Sequence, residues 1–269
     1  MKDMKQACCE HKISVVMNTY NAALYLEEVL DSVSEFDEVV VCDMESTDGT
    51  PDIARRKGCR VITFKKGNIS ICEPARDFAV HSARHEWVLV VDADEIVTPQ
   101  LRSYLYGRIR RGDCPQGLFI PRRNKFMGRY GHSSPDYQLR FLMRDRTRWR
   151  PVIHCLPDID GTVEKIPASL TGVHLLHLDD AGISSRVSKI NVYTDYEVPR
   201  RAGRHHGMLS LLLRPLWFFV RSLLLHGGVL DGRRGLIRAY MAAVYQIVLL
   251  AKIQENKWKD GKDKYNGTR

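Results

Sequence analysis

Residues 86–97 read EWVLVVDADEIV, a short apolar run that ends in acidic residues. The apolar part, Trp87–Val91, is followed within four positions by Asp92, Asp94 and Glu95. A buried strand of this kind would carry carboxylates at its tip, and hard carboxylate oxygens suit Mg²⁺ or Mn²⁺. Taken alone, an Asp-x-Asp triplet is equally compatible with a solvated loop. The elements around it decide between the two interpretations.

Strands and short helices alternate on the amino-terminal side of this stretch. The strand patterns are ISVVMNTY (13–20), DEVVVCD (37–43) and CRVITFK (59–65), and the helix patterns are AALYLEEVLDSV (22–33), PDIARRKG (51–58) and ICEPARDFAVHSAR (71–84). This alternation predicts βαβ units in a mostly parallel sheet with EWVLVVDAD as its fourth strand. Ligands of such sheets bind at the carboxyl ends of the strands. We therefore expect one site to include Thr19, Tyr20, Asn21, Asp43 and the acids of residues 92–95.

Polar residues beside the first two strands also fit helix caps. Asn21 is placed to cap the helix at 22–33, and the triplet Ser46–Asp48 can cap the helix at 51–58. Asp43 ends a strand, so its carboxylate can instead accept hydrogen bonds from a base or a ribose.

The carboxyl-terminal half has a different composition. Residues 115–178 are rich in arginine, histidine and aromatic side chains, which predicts short antiparallel strands or strand-loop units, and residues 184–198 predict a helix. The segment 200–238 then carries eight arginines, no lysine and a single acid, within a chain of net charge +9. A localised basic block indicates an anionic partner or surface.

Arg214 and Arg221 interrupt an apolar run within this block. Because they are seven residues apart, they project from nearly the same side of a helix whose other sides are apolar. This pattern is typical of a helix in a membrane interface with its arginines near lipid headgroups. A helical cap packed on the domain is the alternative, and Pro215 indicates that the helix starts there.

Length and composition favour a cytoplasmic protein. The longest uncharged stretch of the basic region, Ala239–Ala251, has 13 residues, against roughly 20 needed to cross a bilayer. The start of the chain, MKDMKQACCEHK, lacks the apolar run of a signal peptide. The seven cysteines include no CxxC pair, which fits reduced thiols. We expect a protein that is peripheral on the inner face of the cell membrane.

In combination, these motifs resemble the inverting family 2 glycosyltransferases of the GT-A fold. The resemblance is carried by TYN (19–21), D-x-x-STDGT (43–50), R-[DN]-x-A (76–79) and W-V-L-x-x-DADE (87–95). Further stretches resemble the subgroup that includes lipopolysaccharide core heptose β-glucosyltransferases: SPDYQLRFLMRD (134–145), a histidine at 177 and HGGVLDGRRGL (226–236). The match covers roughly residues 13–255. It implies a Rossmann-like α/β fold with a mostly parallel central sheet and a carboxyl-terminal helical appendage that associates with membranes.

The resemblance also implies a division of the chain. A tail of residues 1–12 precedes a catalytic domain at 13–200, whose nucleotide-binding half is 13–98 and whose acceptor-side half is 115–180. A basic amphipathic helical region at 201–255 and a polar tail at 256–269 follow.

The resemblance assigns roles on the donor side. Thr19, Tyr20 and Asn21 would line the nucleotide pocket, Asp43 would contact the base, and Arg76 would lie along the pocket wall. Asp92 would face the ribose or a metal-bound water or bind the metal itself, Asp94 would bind Mn²⁺ or Mg²⁺ directly, and Glu95 would support them or enter a helix.

On the acceptor side, inversion by single displacement needs a base that deprotonates the acceptor hydroxyl. Asp136 takes this role by analogy, with a turn residue after Pro135 as the alternative. Arg140 and Arg144 would stabilise the diphosphate or an anionic acceptor, or lie on the surface. His177, and less so His154, are candidate metal ligands, although most lone histidines are structural.

Some positions depart from the family pattern. Asp77 stands where the family often has asparagine, and Cys155 stands where the subgroup often has glutamate. Met44 and Glu45 replace the small polar residues usual after the first aspartate.

The predicted function is transfer of a hexose from a nucleotide-diphospho-sugar, such as UDP-glucose, to a lipopolysaccharide-core or other lipid-linked glycan. A non-catalytic nucleotide-sugar-binding protein and a sugar nucleotidyltransferase are the alternatives, although NTYNAALYL lacks the Gly-rich basic loop of the latter. Nucleic acid is not an expected partner, because long aliphatic runs rather than stacking aromatics interleave the arginines.

Overall fold

The computed structural model describes residues 11–67, 72–132, 135–150, 155–201 and 207–266, with side chains as far as residue 259. Its contacts define two compact units. The first comprises Met1–Asn124 and Pro135–Asp179, and the second comprises Lys125–Ser134 and Asp180–Arg269. The domain ranges expected from the sequence stay predictions.

The amino-terminal part of the first unit consists of alternating strands and helices. They are β1 (Ile13–Thr19), α1 (Ala23–Val33), β2 (Glu38–Asp43), α2 (Thr50–Arg56), β3 (Arg60–Thr63), α3 (Glu73–His81), β4 (Trp87–Val90), β5 (Glu95–Val97) and α4 (Pro99–Arg111). Most β1 side chains are fully buried, as expected for a parallel strand covered on both faces. On α1, Leu26, Val29, Leu30 and Val33 form the buried stripe that packs on the sheet.

Strands dominate the rest of the first unit. They are β6 (Gly117–Phe126), β8 (Asp136–Met143), β9 (Thr147–Arg148), β10 (Asp158–Ile159), β11 (Val163–Lys165) and β12 (Leu175–His177). The last two residues of β6 belong to the second unit, where they pair with the short strand β7 (Arg129–Tyr130). The expected RWRPVIHC strand is represented by β9, and residues 151–154 lie outside the described part of the chain.

The main sheet has the order β3-β2-β1-β4-β8-β6-β12-β5. Strands β3, β2, β1 and β4 are mutually parallel, whereas β8 runs antiparallel to both β4 and β6. The carboxyl ends of β1, β2 and β4 therefore lie at one edge of the sheet. The amino end of β8 lies at that same edge because the strand is reversed, and this places Asp136 there.

The cap predicted for α1 is wrong. Asn21 has a left-handed backbone, with φ of 49°, and its Oδ1 accepts a hydrogen bond from the Thr47 N–H at 2.8 Å. The N–H groups at the start of α1 are bound from the loop after β2 and the first residue of α2. Thr50 Oγ1 of α2 accepts from the N-cap Ala22 N at 2.8 Å, and Asp48 Oδ2 of the loop accepts from Ala23 N at 3.2 Å. The two loops hold each other because their strands are parallel neighbours.

The N-cap of α2 is Gly49, which lies outside the predicted triplet, and it makes no side-chain cap hydrogen bond. Of the triplet, Asp48 alone binds the first N–H of the helix. Asp48 Oδ1 accepts from the Thr50 N–H at 3.0 Å, at the start of the helix. Ser46 instead accepts from Asn21 N at 2.9 Å, so it belongs to the turn after β1.

The second unit is mostly helical. It contains α5 (Ile183–Arg201), α6 (Met208–Val220), a π-helical turn (Arg221–Leu225), a 3-10 turn (Gly228–Asp231) and α7 (Arg233–Asn266). The proposed start of a helix at Pro215 is wrong, since α6 begins seven residues earlier and includes this proline. Val198 of α5 packs with Leu249 and Ile253 of α7 in a small core.

A hairpin at residues 125–132 is anchored within this unit. Asp180 Oδ1 accepts from Met127 N at 2.9 Å, and Asp231 Oδ1 accepts from His132 N at 2.8 Å. Arg234 Nε donates to the Met127 carbonyl at 3.0 Å. These bonds run from both flanking segments, so the hairpin has a defined position in the unit.

Among the described residues of the second unit, two helical stretches are long and apolar enough to cross a membrane, judged by length and composition alone. They are Met208–Leu225, with mean hydropathy 1.6, and Arg233–Lys259, with mean hydropathy 1.5. The sequence-based expectation was that no stretch is long enough to span a bilayer, because only uncharged residues were counted. The first of these stretches is longer because it includes Arg214 and Arg221. Such helices also occur in soluble proteins, so this finding does not establish a membrane span.

Candidate active site

The first feature of the site is an ion-pair cluster around Asp92, just beyond the end of β4. Asp92 Oδ1 accepts a hydrogen bond from Arg76 Nη2 of α3 at 2.7 Å, and its Oδ2 accepts one from Arg140 Nη2 of β8. Burial alone would raise the pKa of the Asp92 carboxyl, but the Arg140 and Arg76 guanidinium groups outweigh burial and hold the pKa well below its usual range. Asp92 is therefore a stable anion whose two oxygens are both in use. Both oxygens of Asp92 thus accept from arginines, and metal binding by this carboxylate, which the sequence suggests, stays a prediction.

Glu95 extends this cluster into the interior. Its side chain is fully buried, and Oε2 accepts from the Asp92 N–H at 3.0 Å. Oε1 accepts from Arg122 Nη1 at 2.9 Å and from Arg140 Nη2 at 3.3 Å. Glu95 starts β5 and not a helix, so its interpretation as a helix-entry acid is wrong. Its contacts show that it holds two arginines in place.

Arg122 is a member of the cluster that the sequence reasoning missed. Its Nη2 donates to Asp136 Oδ2 at 2.6 Å, so one guanidinium joins Glu95 to Asp136. The available signal was its spacing of two residues from Ile120, a fully buried residue on the same face of β6.

Asp94 and His177 form a separate pair at this edge. Strand β12 pairs with β5 so that His177 lies opposite Glu95, and His177 Nε2 lies 3.1 Å from Asp94 Oδ2. Both side chains are partly exposed. In the described part of the chain, no group of three or more histidine, cysteine or acidic side chains is placed to hold a metal ion. The Asp94 carboxylate offers the oxygen ligand that Mg²⁺ and Mn²⁺ prefer, and Mg²⁺ sites commonly combine one or two carboxylates with substrate phosphates. The other histidine candidate, His154, lies outside the described residues.

The ends of β1 and β2 supply the polar side chains on the predicted nucleotide side. Asp43 is buried, with Thr19 Oγ1 donating to its Oδ1 at 3.2 Å and the Ser46 N–H donating to its Oδ2 at 3.0 Å. Tyr20 is exposed, and Lys66 Nζ lies 3.4 Å from the centre of its ring. Lys66 therefore covers one face of the exposed Tyr20 ring, whereas Asp43 and Thr19 are buried.

Arg144 lies away from this site, contrary to one interpretation of the sequence. It follows β8, whose other end carries Asp136, and its Nη1 donates to the carbonyl oxygen of Ala83 at 2.8 Å. An arginine near the amino end of β4 is a strand length from the carboxyl edge, so it cannot contact a diphosphate there.

Asp77, the residue at the position where asparagine was expected, links two elements. Its Oδ1 accepts from the Trp149 N–H at 2.8 Å. A carboxylate thus serves as an acceptor for the backbone at this position.

The parallel βαβ half, with acids and arginines converging at its carboxyl edge, is typical of α/β proteins that bind a nucleotide there. The family model described as "Glycosyl transferase family 2" matches residues 14–158, and the chain belongs to this family. The family and the GT-A-like α/β fold predicted from the sequence are thereby confirmed. The enzyme class is accordingly a transferase of sugars from nucleotide-sugar donors.

Named relatives align over most of the chain. The lipopolysaccharide core biosynthesis glycosyltransferase LpsC of Rhizobium meliloti is 25% identical over 255 residues, which cover 90% of this chain and 92% of LpsC. The uncharacterized glycosyltransferase RT0209 of Rickettsia typhi is 25% identical over 266 residues, 91% of this chain and 87% of the relative.

Among solved structures, glucosyl-3-phosphoglycerate synthase from Mycobacterium tuberculosis, in complex with Mn²⁺, UDP and glucosyl-3-phosphoglycerate, is 26% identical over 44% of each chain, with a TM-score of 0.35.

Proposed function

We propose that this family 2 enzyme is an inverting, metal-dependent hexosyltransferase. It would move a hexose from a nucleotide-diphospho-sugar, such as UDP-glucose, to a lipopolysaccharide-core or other lipid-linked glycan. The observation that carries the proposal is the 3.1 Å Asp94–His177 pair at the same sheet edge as Asp136 and the Asp92 cluster.

Asp94 and His177 would hold the divalent cation. A bound Mn²⁺ or Mg²⁺ would stabilise the charge that grows on the diphosphate leaving group. Arg76 would donate hydrogen bonds to the diphosphate on the donor side of the site, since its side chain is 22% exposed and the rest of its guanidinium fork is not used by Asp92, which accepts from Nη2. Arg140 is almost fully buried, so its contribution to the diphosphate would act through the orientation of Asp92.

Asp136 would act as the base. The acceptor hydroxyl would transfer its proton to this carboxylate while its oxygen forms a bond to the anomeric carbon of the sugar. The bond from that carbon to the diphosphate oxygen would break, and its electron pair would leave with the diphosphate. One displacement from the opposite side inverts the configuration.

The nucleotide would lie over the ends of β1 and β2. A base would stack on the partly exposed Tyr20 ring, on the face that Lys66 does not cover, next to the Asn21 turn that is bound to Thr47. Asp43 and Thr19 would support the base or the ribose from below.

A lipid-linked acceptor is supported by two features. LpsC, whose printed name includes lipopolysaccharide core biosynthesis, aligns along nearly the whole chain. The second unit also exposes large apolar side chains on α6, among them Leu213 at 58% and Trp217 at 54%. Such a surface beside arginines fits the interface of an anionic membrane, which would place the enzyme on the cytoplasmic face.

The test compares Asp94→Ala and His177→Ala with the wild-type protein. UDP-glucose with Mn²⁺ should raise the thermal midpoint of the wild type, because a ligand that binds only the native state stabilises it by about 2.7 kcal/mol at 100 times its dissociation constant. Both variants should lose most of this shift and the Mn²⁺-dependent turnover of the donor. Undiminished Mn²⁺-dependent turnover in Asp94→Ala would contradict the metal assignment.

The control is Asp52→Ala, which removes an exposed carboxylate from α2. It should keep the full ligand-induced shift. A wild type that shows the shift but transfers no sugar to any glycan acceptor would instead support the non-catalytic alternative. Release of pyrophosphate from a nucleoside triphosphate and a sugar phosphate would support the nucleotidyltransferase alternative.

A further inference from the structure

Arg122 connects the buried acid of the cluster to the residue proposed as the base. In the register of the sheet, Arg122 of β6 lies directly opposite Asp136 of β8. One Nη atom donates to Glu95 at 2.9 Å and the other donates to Asp136 at 2.6 Å. The planar guanidinium is thus used as a fork between two carboxylates.

The Glu95 end of this fork is rigid. Glu95 has no exposed surface, and its second oxygen is held by the Asp92 N–H. The Arg122 side chain is 17% exposed, so most of its length is fixed by packing. Asp136, by contrast, is exposed and would be mobile if it had no partner.

Both donors that reach Asp136 bind the same oxygen. Arg122 Nη2 and Gln138 Nε2, at 2.8 Å, each donate to Oδ2. Within the described part of the chain, no hydrogen bond to Oδ1 is found. With respect to the described residues, the two oxygens of this carboxylate are therefore unequal: Oδ2 is held by two donors and Oδ1 by none.

We propose that Arg122 is a positioning residue for sugar transfer, which fixes Asp136 through Oδ2 so that Oδ1 takes the proton of the acceptor hydroxyl. This inference rests on the proposed function, in which Asp136 is the base. Arg122 itself exchanges no proton and touches no reacting atom. Its effect belongs to the transfer step and not to the binding of the donor.

The first test is Arg122→Lys, which keeps the positive charge and loses the fork. A lysine can reach one carboxylate but not both in the same geometry. With saturating donor and acceptor, kcat should fall roughly 10- to 100-fold, the range expected for misplacement of a reacting group. The KM for the donor and the Mn²⁺-dependent thermal shift with UDP-glucose should stay within about twofold of wild type.

The matched control is Arg123→Lys, the next residue of β6, whose side chain is exposed on the other face. Its kcat should equal that of the wild type. A wild-type kcat in Arg122→Lys would overturn the proposal, and so would a parallel loss of donor binding, which would indicate a structural role.

The decisive measurement is a double-mutant cycle with Asp136→Asn. If Arg122 acts through Asp136, adding Arg122→Lys to Asp136→Asn should cause no further loss of kcat. Multiplying losses would overturn the proposal. If Arg122→Lys does not fold, Gln138→Ala is the second variant, because it removes the other donor to Oδ2 and leaves Glu95 untouched. It should lower kcat several-fold in the wild-type background and cause no further loss of kcat in the Asp136→Asn background.

Failure of this inference is distinguishable from failure of the proposed function. Full transfer activity in Asp136→Asn would remove the base assignment, and this inference with it. Loss of transfer in Asp136→Asn together with a wild-type kcat in Arg122→Lys would overturn only the role of Arg122.

Discussion

The three acids of the DADE stretch have different partners although they lie within four positions. Asp92 and Glu95 pair with arginines, whereas Asp94 lies beside His177. The division arises because the chain turns after β4 and then starts β5, which directs the side chains toward different elements. Residue identity predicts negative charge at this edge, but the partners arrive from α3, β6, β8 and β12.

A second buried acid, Glu38, has a purely structural environment and permits a prediction on stability. Ser14 Oγ donates to its Oε2 at 2.6 Å, the Arg84 N–H donates at 2.8 Å, and Arg60 Nε donates to its Oε1 at 3.0 Å. Burial alone would raise the pKa of the Glu38 carboxyl, but these donors and the Arg60 charge outweigh burial and hold the pKa below its ordinary value. Glu38 thus ties β1, β3 and the turn before β4 together.

Glu38→Gln should lower the free energy of unfolding by about 1–3 kcal/mol at pH 7, the usual cost of disrupting hydrogen bonds to a buried charge. Because the folded-state pKa is depressed, the wild-type contribution is complete above the unfolded pKa of about 4.3 and is lost as the pH falls through the folded pKa. The difference between the two proteins, measured by urea denaturation, should therefore shrink as the pH is lowered below about 4.

Glu28→Gln, on the exposed face of α1, is the control. It should leave the free energy of unfolding unchanged at pH 7 and at the acidic pH. A difference for Glu38→Gln that grows as the pH falls would contradict the depressed pKa.

At the scale of elements, the reciprocal capping of the first two helices explains why the Asn21 prediction was wrong. A polar residue before a helix is normally a cap. Here the loop after β2 reaches the start of α1 first, because β1 and β2 are parallel neighbours in register from Ser14 and Glu38 to Thr19 and Asp43. Helix α4 was not predicted either, although Thr98 caps it by accepting from Leu101 N at 3.3 Å.

Close packing at the start of α7 gives a prediction for the second unit. A Cβ on Gly235 would lie 1.8 Å from the carbonyl oxygen of Gly228, which is backbone and cannot rotate away. Gly235→Ala should therefore destabilise the unit by about 1–3 kcal/mol or more, the range found for overpacked positions. Hydrogen exchange of the α7 amides measures this effect directly.

Gly182→Ala provides a matched glycine control, since a Cβ there meets nothing within 4 Å. Exchange rates in α7 should be unchanged by that substitution. Equal protection of α7 in Gly235→Ala and wild type would show that the contact relaxes without cost.

At the scale of the whole molecule, the main feature is the exposed apolar surface of the second unit. Helix α6 exposes Leu212, Leu213, Leu216 and Trp217, which lie on one side of the helix. Monomeric soluble proteins rarely expose a contiguous apolar surface of this kind without a partner. The neighbouring arginines favour an anionic lipid surface as that partner.

The double substitution Leu213→Glu with Trp217→Glu should abolish sedimentation of the protein with vesicles that contain anionic phospholipid. Each change removes apolar area from the lipid and adds a charge that repels the headgroups. Circular dichroism should be unchanged because both side chains are exposed in the second unit.

Leu24→Glu is the control, because this leucine of α1 is 82% exposed but belongs to the first unit. It should sediment with vesicles like the wild type. Retained binding of the double variant would exclude α6 as the membrane contact.

The five cysteines within the described ranges, Cys42, Cys59, Cys72, Cys114 and Cys155, are all free. Burial raises the pKa of the Cys42 and Cys114 thiols to about 12, which keeps both groups protonated and unreactive at neutral pH.

The amino-acid sequence by itself determined the βαβ half, the succession of strands and helices along it and the acids at the carboxyl ends of the strands. Apolar runs, turn residues and strand-helix alternation are local patterns, and the parallel topology follows from them. The family followed from motifs within the same segment. The basic, apolar character of the carboxyl-terminal region was equally a property of composition.

Only the tertiary structure decided which charges meet. The reversal of β8 brings Asp136 to the edge where the parallel strands end and removes Arg144 from it, and the register of β6 against β8 sets Arg122 opposite Asp136. The pairing of β12 with β5 likewise brings His177 next to Asp94. Strand direction and register are properties of the assembled sheet, because hydrogen bonds between strands distant in the chain define them. For this reason the acids could be predicted from sequence, whereas their pairing with particular arginines and a histidine could not.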